Sequence, residues 1–235
     1  MSLNEETDPL DQSESDTTEQ GKSLTERAYK RLEELIVTLQ LAPGAVLSEA
    51  QLAKQLGIGR TPIREALQRL SREGLIVILP RRGILVSEIN VTRQLKLLEV
   101  RRELERLMAS CSARRASSGE KEEFRQLAEG MTKAAENEDD ITFMRLDRRL
   151  NQLLCQASRN EYITNAIGLI QSLSRRFWYS HYKEVLDLPL CARLHASLAT
   201  AISQGNPEEA MQASDDLMDY IEDFTRASLD APTRY

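Results

Sequence analysis

Leu47-Ser-Glu-Ala-Gln-Leu-Ala-Lys-Gln-Leu-Gly-Ile-Gly-Arg-Thr-Pro-Ile-Arg-Glu-Ala-Leu-Gln-Arg-Leu70 is the stretch whose reading decides the architecture of this chain. Ser48-Glu-Ala-Gln51 reads as a capping box, Leu52, Ala53 and Leu56 form the apolar face of a short helix, and Gly57 supplies the left-handed residue beyond its end. After the turn Gly57-Ile-Gly-Arg60, Thr61 is placed to cap and Pro62 to take the first position of a second helix. That helix turns Ile63, Ala66, Leu67 and Leu70 inward and stops at Gly74. A short helix, a tight glycine turn and a second helix predict a helix-turn-helix.

On the N-terminal side, Ser23-Leu-Thr-Glu26 is another capping box. It opens a helix with Leu24, Ala28, Leu32, Leu35, Ile36 and Leu39 on one face, running to the breaker Pro43-Gly44. On the C-terminal side, Leu75 to Leu79 and Ile84 to Val86 favour strand and are separated by Pro80-Arg-Arg-Gly83, the chemistry of a hairpin with a basic tip, hence a wing. Guanine offers two acceptors in the major groove that a forked arginine meets together. Arg60 and Arg64, four apart and opposite the Ile63, Ala66, Leu67 stripe, are therefore the candidate base readers, with Thr61 for a phosphate or a base edge. Arg81 and Arg82, followed by Gly83 where backbone must approach closely, suit a wing tip in the minor groove, and Ser48 and Glu49 complete the candidate DNA-contacting set. The competing reading of the same arginines is a solvated helix face and a charged turn. The order of parts argues against it: capped helix, glycine turn, arginine pair and basic hairpin fall together within one short segment.

Charge is distributed to match. The chain of 235 residues carries a net charge of −6, yet residues 23–86 hold ten bases against six acids. Residues 1–22 hold seven acids against Lys22. A locally basic domain of this kind attracts phosphate while the acidic remainder keeps the chain soluble. Residues 1–22 and 229–235 are expected to be a disordered acidic tail and a short end tail, residues 23–88 a winged helix-turn-helix domain, residues 89–94 a linker, and residues 95–228 an all-helical bundle. From about Val91 the helical pattern breaks near 117–119, 137–140, 158–160, 187–189 and 205–207, which delimits about six helices, enough for a bundle with an internal cavity. The predicted fold class is mainly α, with one small β-hairpin. The absence of a long apolar run and the acidic start predict a cytoplasmic protein. Cys111, Cys155 and Cys191 are odd in number and widely spaced, so they read as buried thiols rather than a disulfide framework or zinc ribbon. No Gly-rich phosphate loop and no nucleophile beside a histidine suggest an enzyme.

The quoted stretch, with Glu73-Gly74-Leu75 and Arg82-Gly83, resembles the winged-helix domain of GntR-family regulators over about residues 23–86. The resemblance implies dimeric binding to a short inverted repeat, with the positions matching Arg60, Thr61, Arg64 and Gly83 touching DNA. In the first helix of the motif some members carry an arginine where this chain has Ala50. Residues 95–228 resemble the helical effector domain of the FCD subgroup, on the landmarks Val100-Arg101-Arg-Glu-Leu-Glu105, Asp147-Arg-Arg-Leu-Asn151, Ser158-Arg-Asn160, Leu194-His195 with Ala201-Ile202, and Gly205-Asn-Pro-Glu-Glu-Ala210.

That second resemblance implies a small-molecule effector that bears a carboxylate, often beside a metal held by an Asp, a His four residues on and two further His. Asp147 and His195 match, whereas the second position is Asn151 and the fourth aligns with Leu217. With two histidines in all, a three-histidine site cannot be built, so no cofactor and no tightly held metal are expected, and the three matching positions are vestigial. Arg101, Asp147, Asn151 and His195 remain as a candidate effector pocket, Arg101 meeting a carboxylate bidentately. The alternative reading pairs Asp147 with a neighbouring arginine and leaves His195 as a hydrogen-bonded core histidine. Arg175-Arg-Phe-Trp-Tyr179 adds rings that would line the cavity or, as is commoner, serve core or dimer packing. The functional expectation is a regulator, a repressor by preference, that binds an operator as a homodimer and answers to an effector. Its alternative is a regulator whose helical domain only dimerises, and an enzyme or metal-dependent binding protein is remote.

Overall fold

A computed structural model describes residues 23–79, 83–185 and 187–228. The chain divides into two compact units, residues 1–88 and 89–235. Nine helices and a three-stranded sheet are present among the described residues.

The first unit opens with α1 (Leu24–Val37), which buries Ala28, Leu32, Leu35 and Ile36 as its periodicity requires. Two residues of that stripe depart from expectation. Leu24 stays 52% exposed, and Leu39 lies beyond the helix with φ 60, because the helix closes at Thr38 rather than running on to Pro43. The capping box at its start forms by half: Ser23 Oγ accepts from the Glu26 amide at 3.2 Å, while the Glu26 carboxylate goes to Arg69 at 3.1 Å. β1 (Val46–Leu47) leads into α2 (Glu49–Leu56), and Gly57 follows with φ 64 in the left-handed region. α3 (Arg60–Arg72) buries Ile63, Ala66, Leu67 and Leu70.

The wing is β2 (Ile76–Leu79) antiparallel to β3 (Gly83–Val86), in the register Ile76 to Val86 and Leu79 to Gly83. β1 pairs antiparallel with β3 through Val46 to Leu85 and Leu47 to Ile84, which gives the sheet order β1-β3-β2. This third strand was not anticipated. Two residues carry too little alternation to register as a strand, and only the ladder with β3 makes them one.

α1 is fastened to α3 by charge as well as by apolar packing. Tyr29 donates its hydroxyl to Glu73 at 2.9 Å, Arg69 donates to the other Glu73 oxygen at 3.1 Å, and the Arg69 guanidinium lies 3.5 Å above the Tyr29 ring. Glu73 is 4% exposed. Burial raises its carboxyl above the usual range, even though the Tyr29 and Arg69 hydrogen bonds oppose the shift. The Tyr29 hydroxyl is pushed up to about 12 by burial and by the facing carboxylate.

The second unit comprises α4 (Val91–Arg115), α5 (Ser118–Asn137), α6 (Asp140–Ser158), α7 (Glu161–Val185), α8 (Leu188–Gln204) and α9 (Pro207–Ala227). Each break foreseen in the sequence separates two of these helices. The core joins Phe124 and Met131 of α5 to Leu150 and Leu153 of α6 and to Ala192, Ala199 and Ile202 of α8, with Leu217 from α9. Alanines on α8 let α5 and α9 pack closely on either side of it. The aromatic run is used along α7 itself and toward α9. Phe177 is buried and stacks on His181 at 4.5 Å and edge-on to Phe224, and Trp178 stacks on Tyr182 at 4.6 Å.

Candidate DNA interface and effector site

The reading helix α3 begins differently from the expectation. Its N-cap is Gly59, with φ −60 and ψ 158 and no side chain to close the end; Arg60 and Thr61 are already helical, and Pro62 is the third residue. Pro62 forfeits nothing there, because the first amides of a helix have no partner within it. Thr61 is therefore an exposed first-turn residue and not the cap. Ser48 is the N-cap of α2, but its side chain makes no capping hydrogen bond. Ser48 follows directly from β1, whose pairing with β3 already fixes the path of the chain, and Leu52 closes the first turn onto the Ser48 carbonyl at 3.0 Å.

Arg60 and Thr61 are exposed at the open end of α3. Arg64, one turn on, has a side chain 61% exposed and lies against Glu49 of α2. Its Nε sits 3.3 Å from both Glu49 oxygens and its Nη2 3.0 Å from one of them. The hydrogen bond and charge of Glu49 raise the Arg64 pKa above its already high ordinary value, so the guanidinium is a permanent cation. The structure thus groups Ser48, Glu49, Arg60, Thr61 and Arg64 at the starts of two successive helices. Gly83 opens β3 with φ 100, a conformation other residues rarely take, and a Cβ there would stand 3.4 Å from the Leu47 carbonyl oxygen. Gly83 thus meets a demand of the sheet independently of any DNA contact. Arg81 and Arg82 lie outside the described residues.

In the helical unit, Asp147 of α6 and His195 of α8 are brought together, His195 Nε2 lying 3.2 Å from Asp147 Oδ1. Asn151 donates its amide to the same Asp147 oxygen at 2.9 Å and to the Asp147 carbonyl at 2.9 Å. His195 Nδ1 faces the Cys191 carbonyl at 2.8 Å, and the ring meets Phe143 edge-on at 5.2 Å. Burial works against the charge on Asp147, but the hydrogen bond and charge of His195, helped by Arg101 and Asn151, outweigh it and hold the carboxyl below its usual range. Burial likewise opposes a charge on His195, yet Cys191 and Asp147 together lift its pKa well above the ordinary histidine value. The Asp147 partner is thus His195 and not an arginine. Arg101 donates to Glu105 at 2.5 Å, with side chains 18% and 11% exposed.

These residues do not fit a tightly held transition metal. Asn151 turns its amide donor, which cannot ligate, toward Asp147, and Leu217 is 3% exposed in the apolar core. Among the described residues no group of three or more His, Cys, Asp or Glu is arranged to hold a metal ion. A cleft of about 620 Å³, open to solvent, is lined by Thr132, Arg193, Thr200, Gln204 and Asp216 of α5, α8 and α9. None of these was singled out in the sequence, because the apolar periodicity that marks a helix says nothing about gaps between helices. Among the described residues no helix is long and apolar enough to cross a membrane.

A winged helix-turn-helix with an exposed arginine pair, joined to a six-helix unit, is the build of a DNA-binding transcriptional regulator with a sensing domain. Comparison with known proteins supports this class: residues 24–86 match the bacterial regulatory proteins of the gntR family, and residues 96–220 match the FCD domain. The chain belongs to the GntR family of bacterial regulatory proteins, in the branch that carries an FCD domain, and its relatives are regulators rather than enzymes. It is 42% identical over 73 residues to an uncharacterized HTH-type transcriptional regulator of Streptomyces ambofaciens, a match covering 31% of each chain. It is 24% identical over 203 residues to the HTH-type transcriptional repressor RspR of Escherichia coli K12, covering 86% of this chain and 89% of the relative. Among solved structures, E. coli McbR/YncC shares the fold with a TM-score of 0.73 at 21% identity, covering 88% of this chain and 99% of the other.

Proposed function

We propose that this regulator acts as a cytoplasmic homodimer that binds an inverted-repeat operator and represses transcription until a small carboxylate-bearing effector enters the helical unit. The observation that carries the DNA side is the pairing of exposed Arg60 and Arg64 with helix starts left open by Ser48 and Gly59. Free first-turn amides donate to a phosphate, and the arginines one turn apart reach base edges from the same helix. The family resemblance supports dimerisation, and an inverted repeat requires it. Repression is the role that the E. coli relative RspR carries in its name, and it is carried over on that similarity.

On the effector side, Arg101 already holds a carboxylate, that of Glu105, and lies near enough to Asp147 to depress its carboxyl. An effector carboxylate would displace Glu105 from Arg101 and gain the same fork of donors. The effector site works without a resident metal in this reading, since Asn151 and Leu217 stand where ligands would be needed. A second reading, in which the helical unit only dimerises, is favoured by the mutual satisfaction of Asp147, Asn151, His195, Arg101 and Glu105.

Three measurements test these readings. Selection from a randomised pool of duplex DNA should recover an inverted repeat; recovery of unrelated sequences would defeat the operator proposal. Metal analysis of the purified chain should find well under one zinc or nickel per chain, and a stoichiometric, chelator-resistant metal would overturn the metal-free site. A thermal-shift screen against small carboxylates and acyl thioesters should raise the melting temperature for an effector, because a ligand of the native state stabilises it. A flat response throughout would establish the dimerisation-only reading in its place.

A further inference from the structure

Arg64 does not project into solvent alone; Glu49 holds it along one edge of its guanidinium group. A guanidinium has five N–H donors arranged as a side edge, Nε with one Nη, and an end edge, Nη1 with Nη2. Glu49 takes the side edge through contacts of 3.3, 3.3 and 3.0 Å to Nε and Nη2. The end edge is left, on a side chain 61% exposed. That edge is the fork that matches the O6 and N7 acceptors of guanine. Glu49 itself is anchored: it is the first residue of α2, two residues beyond the sheet-fixed Leu47, and its backbone is therefore part of the helix-turn-helix frame.

We propose that Glu49 is the specificity-determining positioning residue of the DNA interface, clamping the side edge of Arg64 so that its end edge is presented to a guanine. This inference rests on the DNA-reading role of Arg64 given above. Three consequences follow from the pairing. Without the clamp, a long arginine samples many rotamers and reaches phosphates as readily as bases, so affinity survives while base discrimination declines. The paired carboxylate offsets the positive charge of Arg64, so the residue contributes geometry more than attraction, and steering toward DNA falls to Arg60 and the wider basic surface. A carboxylate beside Arg64 would repel an approaching phosphate backbone, so its removal should leave binding to unrelated DNA unchanged or slightly tighter.

The experiment is a double-mutant cycle on the full chain with Glu49→Gln, Arg64→Ala and the pair combined. The probes are the duplex that the wild-type chain selects from a randomised pool, the same duplex with single G·C to A·T replacements, and an unrelated duplex. Glu49→Gln is expected to lower discrimination at one guanine position by about fivefold to tenfold, a typical worth of an oriented arginine–guanine pair. Affinity for the unrelated duplex should not fall, and the melting temperature should be unchanged. In the Arg64→Ala background the same substitution should change discrimination by less than about twofold, because the clamp then has nothing to hold. Equal loss on all duplexes, or an equal effect with and without Arg64, would overturn the inference and leave Glu49 a general structural residue. Should Glu49→Gln lower the melting temperature, Glu49→Ala is compared in the same cycle, where dependence on Arg64 remains the deciding readout. If the wild-type chain selects no sequence, the DNA-reading proposal itself fails; if it selects one and Glu49→Gln discriminates as well as wild type, only the clamp fails.

Discussion

The two units of this protein finish their polar groups in opposite ways. In the helical unit every helix start is closed by a side chain: Asn90, Ser117, Asp139, Asn160, Asp187 and Asn206 each accept from backbone amides of the first turn. In the winged unit, α1 is capped by Ser23, but α2 and α3, the two helices of the helix-turn-helix, begin at Ser48 and Gly59 with no side-chain cap. Arginines follow the same division. Arg101 is mostly buried against Glu105, whereas Arg64 presents its free edge to solvent. Groups that finish their bonds inside the fold serve stability, while groups left open on a rigid frame are available to a ligand with many acceptors, and duplex DNA is such a ligand.

Substitutions on the two sides of this contrast should differ in cost. Arg101→Ala leaves the Glu105 carboxylate nearly buried and without its cation, and should cost about 2 kcal/mol of stability in chemical denaturation. A change within error would mean that the internal ion pair is dispensable and the helical unit less closed than described. Tyr29→Phe removes the hydroxyl donated to buried Glu73 while keeping the ring beneath Arg69, and should cost about 1–2 kcal/mol by the same measurement. Ser117→Ala breaks a complete capping box, in which Glu120 also bonds back to the Ser117 amide at 2.8 Å, and should cost about 1 kcal/mol. Ser48→Ala should leave stability unaltered, since no cap bond exists to lose; equal losses at the two serines would erase the distinction between open and closed helix starts.

A pH dependence separates the internal ion pair from the open arginines. The Asp147 carboxyl is depressed, so its contribution is present above the ordinary carboxylate value of about 4 and is lost as pH falls through its lower native value. The His195 pKa is raised, so its contribution is fully present below about 6.5 and is lost as pH rises through its higher native value. The stability difference between wild type and Asp147→Asn should therefore be largest between these limits and shrink on either side. A difference that keeps growing at alkaline pH would show that His195 is not the cation facing Asp147.

Much of the fold was legible because its signals are local. The 3.6-residue stripe of Ile63, Ala66, Leu67 and Leu70 and the glycine turn at Gly57 dictated α3 and its approach without reference to the rest of the chain. What escaped were features that depend on distant partners or on competition at a single site. The Tyr29–Glu73 bond joins residues 44 apart, and neither residue carries a local mark of it. β1 exists only because β3 lies beside it. Thr61 had the right chemistry for a cap, but the helix begins earlier, at Arg60, because Gly59 has already turned the backbone. At the candidate effector site, family resemblance brought Asp147, Asn151 and His195 together, but not the way they satisfy one another, since that depends on which donors the facing helices leave free.

Sequence reading by the open arginines of α3 is put to proof by a single binding measurement. The affinity of the wild-type chain and of the Arg60→Ala, Arg64→Ala double variant is measured at one fixed salt concentration for the selected duplex and for an unrelated one. The double variant should lose about a hundredfold or more on the selected duplex, much less on the unrelated one, and nothing in melting temperature. Wild-type affinity for the selected duplex in the double variant would contradict it.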